Sequence, residues 1–109
     1  MLKPILDNPI KEKILFAVLT QNEVYARGIS STFGIYLLSV QNQLKKLERG
    51  SVLISRLKGR TRLYGFNPRY PFLIELKKLL EKALSFVPKN EKEKYYTPRL
   101  RPRRANKPL

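Results

Sequence analysis

The chain has 109 residues, enough for one domain with a single core. It carries 23 lysines and arginines against 8 acidic residues, a formal net charge of +15, and contains neither cysteine nor histidine. That balance points to an anionic partner, nucleic acid first, while the missing residue types exclude disulfides, thiolate nucleophiles, imidazole bases and ordinary zinc sites, so no metal or cofactor is expected.

Met1 to Ile10 hold no apolar run of signal-peptide length, and no later run approaches a membrane span; a cytoplasmic protein without a membrane partner is expected. Asn8-Pro9 starts a first helix over 9–20, with asparagine as N-cap and proline in a first turn whose N–H is unpaired in any case. Ile10, Ile14, Ala17 and Val18 share one face, and Lys11 stands where a capping-box glutamate would reach back. Past Gln21-Asn22, a second helix over 24–33 gathers Ala26, Ile29 and Phe33 and stops at Gly34, which reads as a left-handed cap. The third helix, 37–49, has an apolar stripe of Leu37, Val40, Leu44 and Leu47 and ends at Gly50. Its opposite face carries Ser39, Gln41, Asn42, Lys45, Lys46 and Arg49.

From Ser51 the period becomes strand-like, with strands over 52–57 and 61–66 around a Lys58-Gly59-Arg60 turn. Asn67-Pro68-Arg69-Tyr70-Pro71 resets the chain, and Pro71 opens a fourth helix that reaches Phe86. Phe72, Leu73, Leu76, Leu79, Leu80, Ala83, Leu84 and Val87 give this helix an apolar face too wide for a solvated surface element. Beyond Pro88 the chain is basic and proline-punctuated, which predicts a tail disordered unless a partner orders it. The fold class expected is mainly α with a small β-hairpin: a winged helix-turn-helix domain with a C-terminal helix over 1–87, then the basic tail 88–109.

Two helices joined by a tight turn and followed at once by a basic hairpin suit B-DNA, whose major groove admits one helix. Ala26-Arg27, Phe33-Gly34-Ile35 and the run from Leu37 to Leu47, ending Leu44-Lys45-Lys46-Leu47-Glu48-Arg49-Gly50, resemble the ArsR-type winged-helix regulators. The hairpin from Ser55 to Arg62 and the following Asn67-Pro68 resemble that family's wing. The resemblance spans residues 9–87 and implies a homodimer that sets two recognition helices in successive major grooves, usually to repress a promoter. Metal sensing, which many members perform through cysteine and histidine, does not carry over to a chain with neither. By the same resemblance, Ser39, Gln41, Asn42 and Lys45 contact base edges and adjoining phosphates, with Lys46 on the same exposed half. Glutamine and asparagine can pair bidentately with adenine. Arg56, Lys58, Arg60 and Arg62 form a wing cluster able to sit over phosphates or reach a minor groove.

The fourth helix, over 71–87 and helped by the first, is the expected twofold contact, with Leu80→Glu as the change that separates the protomers. The arginines from Arg99 to Arg104 make the tail a candidate DNA arm, while Tyr95 and Tyr96 would suit it to anchoring on an acidic protein partner. A structural RNA or ribonucleoprotein component would use the same charge, and its tyrosines could stack on unpaired bases, but they are spread over several elements. Catalysis is not expected, because the only aspartate is Asp7 and the glutamates are scattered, without paired partners or metal-ligand spacing.

Overall fold

The computed structural model describes residues 2–96. In chain order the elements are α1 (Lys3–Leu6), α2 (Pro9–Gln21), α3 (Ala26–Phe33), α4 (Leu37–Arg49), β1 (Leu53–Lys58), β2 (Thr61–Phe66), α5 (Leu73–Leu84) and α6 (Lys89–Tyr95). Among the described residues no helix is long and apolar enough to cross a membrane.

Helix α2 begins as its sequence dictates. Asn8 Oδ1 accepts from the N–H groups of Ile10 (2.7 Å) and Lys11 (3.2 Å), satisfying two donors of the uncapped first turn. Five consecutive residues, Ile14 to Val18, are buried, so this helix is enclosed on more than the one face its period predicts. It runs through the middle of the core, with α4 and α5 packed on it. Its partly exposed residues, 9–13 and 19–21, lie toward its two ends.

The second helix starts two residues later than its propensity suggests. Val24 is taken by an antiparallel bridge to Tyr64, with N–H to O distances of 2.9 and 2.7 Å, so the chain is extended until α3 begins at Ala26. At the other end Gly34 sits at φ 65°, ψ 42°, the left-handed cap expected of it. Ser30 Oγ donates to the Ile35 carbonyl and Ile35 N–H returns to the Ser30 carbonyl, which fixes the turn between α3 and α4.

On α4, Val40, Leu44 and Leu47 are buried as the stripe predicts, and so is Gln43, whose Oε1 meets no donor among the described residues. Strands β1 and β2 pair antiparallel, from Leu53 opposite Phe66 to Lys58 opposite Thr61. The loop between them is Gly59-Arg60, with Gly59 at φ 64° in the first central position, where a II′ hairpin needs glycine. Asn67 closes the base of the hairpin: its N–H reaches the Val52 carbonyl and its Nδ2 the Ser51 carbonyl.

The C-terminal third departs furthest from the sequence reading. Helix α5 is two residues shorter at each end than the predicted 71–86, and Leu80 is fully buried against the core. Residues 89–95, predicted as the start of a disordered tail, form α6. Tyr96, 5% exposed, meets Phe16 edge-on at 5.3 Å between ring centroids, and Tyr95 stacks on Phe33 at 5.0 Å. Packing thus continues past the domain boundary expected at residue 87. The rest of the basic tail, 97–109, lies outside the described residues.

Candidate nucleic-acid interface

One helical face follows from the burial of the other. With Val40, Gln43, Leu44 and Leu47 inward, the ridge pointing away from the core runs through positions 38, 42, 45 and 49. Asn42, Lys45 and Arg49 are exposed on it, Lys46 is exposed on one flank, and Ser39 and Gln41 are half-buried on its two sides. The predicted face therefore assembles on one element, with Ser39 and Gln41 as its margins.

The centre of the ridge near the helix start is Leu38, 67% exposed, beside Tyr36 at the N-cap, 86% exposed. Sequence reasoning left Leu38 out of the face, although the spacing from Leu38 to Asn42, Lys45 and Arg49 puts it there. Tyr36 makes no side-chain cap bond to the first N–H groups of α4 among the described residues.

The wing joins this face through a short polar chain. Arg62 Nη1 donates to Ser55 Oγ at 3.0 Å, and Ser55 Oγ donates to Glu48 Oε2 at 2.7 Å. Glu48 lies on the side of α4 that carries Gln41 and Lys45, so the wing rises beside those two residues.

The four wing cations do not form one cluster, which corrects the sequence reading. Cross-strand partners share a face: Arg62 stands opposite Leu57 on the face turned to α4, whereas Arg56, opposite Leu63, looks the other way with Lys58. Arg56 is bound bidentately to Glu23 in the turn before α3, both bonds at 2.8 Å. That hydrogen bond is the main reason the Glu23 carboxyl is held below its ordinary pKa, with the Arg56 charge adding to it. The lowered value means that the pair supports the fold at neutral pH and loses its contribution as pH falls through the carboxylate range. Arg56 is thus a brace between wing and turn. Lys58 and Arg60, at the tip, are exposed cations.

The consequence is measurable as a salt slope. If the wing neutralises phosphates, Lys58→Ala and Arg60→Ala should each flatten the dependence of log affinity on log salt by about one contact, whereas Arg56→Ala should change it far less. A loss for Arg56→Ala equal to that for Arg60→Ala would show that the brace opens on binding.

No family model matches the chain, and no curated protein matches it in sequence. Among solved structures, the fold is similar to a MarR-family transcriptional regulator from Rhodococcus sp. RHA1, with a TM-score of 0.58 and 19% identity, covering 84% of this chain and 71% of that one. It is also similar to a variant of ZitR from Lactococcus lactis in its apo form, at TM-score 0.54 and 18% identity, covering 84% and 78% of the two chains. A variant of MepR from S. aureus bound to an oligodeoxyribonucleotide matches at TM-score 0.50 and 18% identity, over 84% and 74%. Likeness at this level shows the fold, a winged helix-turn-helix, as expected from the order of elements. None of these structures supports the ArsR type in particular over other winged-helix classes.

Proposed function

We propose that the protein is a DNA-binding transcription regulator that acts as a homodimer, reading the major groove with α4, touching phosphates with the wing, and repressing by occupying a promoter. The observation that carries this reading is the solvent-facing ridge of α4, where Asn42, Lys45 and Arg49 stand out from the protein with the basic wing alongside. Amides supply base-edge recognition, lysines and arginines supply phosphate affinity, and the chain's +15 charge draws it to a polyanion. The duplex-bound neighbour with the same fold is consistent with that use of the helix.

Selection of bound duplexes from a random pool, with a structured RNA as competitor, tests it. A regulator enriches a defined sequence with repeated half-sites about one helical turn apart. Preference for the RNA would favour a ribonucleoprotein role, and no nucleic-acid binding at physiological salt would favour docking to an acidic protein. On the selected duplex, Asn42→Ala or Gln41→Ala should relax preference at one or two base pairs by the equivalent of about 1–3 kcal/mol while nonspecific binding and Tm hold. Unchanged preference in both would move base reading elsewhere.

A further inference from the structure

We propose that Leu38 reads the C5 methyl group of thymine in the major groove, an inference that rests on the DNA-binding role of α4. Three local departures from stable helix design meet at one place. Leu38 is 67% exposed at the N-terminal end of a face otherwise polar and basic. Tyr36, two residues before it, is 86% exposed. The helix between them starts without a side-chain cap, leaving its first N–H groups and the positive end of its dipole open to an approaching phosphate. One exposed leucine is ordinary, but a leucine set among cations, beside an exposed tyrosine and a helix start without a side-chain cap, breaks several local rules at once, and such breaks concentrate at functional surfaces.

The surrounding charge narrows the partner. Lys45, Lys46 and Arg49 follow along the same helix, so a surface that accepts Leu38 must also be anionic. The major groove offers both, because its edges carry phosphates and, among the four bases, only thymine presents a methyl group there. Recognition helices place their N-terminal residues nearest the base edges, which is where Leu38 stands. A second protomer of net charge +15 would bring like charges against that helix instead.

Thymine-to-uracil exchange tests this directly, since it removes only the methyl group. On a selected duplex, replacing the thymines one at a time should weaken the native protein about fourfold at one position in each half-site, the worth of one buried methyl. Leu38→Ala should lose a similar factor on the thymine duplex and no longer distinguish uracil there, while Leu38→Met keeps part of the discrimination. Leu38 is exposed, so circular dichroism should show both variants folded. Indifference of the native protein to uracil at every thymine overturns the proposal while leaving DNA binding intact, and so does full discrimination in Leu38→Ala. A change of sedimentation coefficient in Leu38→Ala assigns the residue to a protein contact and overturns it too. Failure to bind the unmodified duplex at all removes the parent reading, and this one with it.

Discussion

Tyr96→Ala is expected to lower the stability of the protein by about 3–5 kcal/mol, the usual cost of truncating a buried aromatic residue to alanine, and Tm by at least about 12 °C. The ring is 5% exposed, lies edge-on to Phe16 and stands 5.8 Å from Phe33, so its loss opens a cavity where α2, α3 and α6 meet. Against a total stability of order 10 kcal/mol, that is a large fraction. A chain ending at Pro88 should be destabilised at least as much, because Tyr95 and Tyr96 go with it. A chain ending at Tyr96 keeps the aromatic cluster and should keep its Tm. Only this second truncation isolates the basic segment 97–109. If that segment is a DNA arm, the truncation lowers duplex affinity and makes the salt dependence shallower; if it serves an acidic protein, DNA binding is unchanged. Equal melting of the native protein and Tyr96→Ala would place the C-terminal helix outside the cooperative fold.

The same residue makes a pH prediction. Burial is the main cause that raises the Tyr96 phenol above its ordinary pKa, with Glu91 and Glu12 adding to it. A folded-state value above the unfolded one means that the contribution is fully present below about pH 10 and is lost as pH rises past it, since the unfolded chain releases the proton first. Stability should therefore fall steeply above pH 10, and Tyr96→Phe should fall less. Tyr64, also shifted upward by burial, is common to both chains and cancels in the difference. Identical alkaline profiles would show that the hydroxyl is solvated.

Leu80→Glu is expected to abolish folding, and Leu79→Glu to leave the fold intact while converting a dimer into monomers. These neighbours differ by position alone. Leu80 is fully buried inside the protomer, and a charge placed there has no partner to offset its desolvation. Leu79 is 39% exposed, and residues seven positions to either side, Phe72 and Phe86, are 63% and 67% exposed. Leu79 on α5 and the two phenylalanines flanking that helix offer the predicted dimer contact an apolar surface. Sedimentation of the native protein, Leu79→Glu and Phe86→Glu at micromolar concentration decides it. A monomeric native protein rejects the dimer and the paired half-sites that depend on it, and dimeric variants move the contact off this surface.

What the sequence determined by itself is what short-range chemistry controls. Asn8 caps α2 because an amide oxygen two or three residues from free N–H groups can reach them. Gly34 and Gly59 turn the chain because a residue without Cβ accepts positive φ at the least cost. The stripe through Val40, Leu44 and Leu47, and the polar ridge it forces outward, follow from a period of 3.6. Whatever depends on which distant residue arrives alongside was decided by the tertiary structure. Val24 has helical neighbours in sequence but bridges Tyr64, 40 residues away. Arg56 belongs to a basic hairpin in sequence but faces Glu23, because alternation along a strand sends it to the opposite side from Arg62. Leu79 and Leu80 are alike in composition and pattern, and only the path of α5 across α2 makes one of them core. The polar run after Pro88 reads as a tail because its own residues cannot build a core, yet Tyr95 and Tyr96 complete one supplied by Phe16 and Phe33.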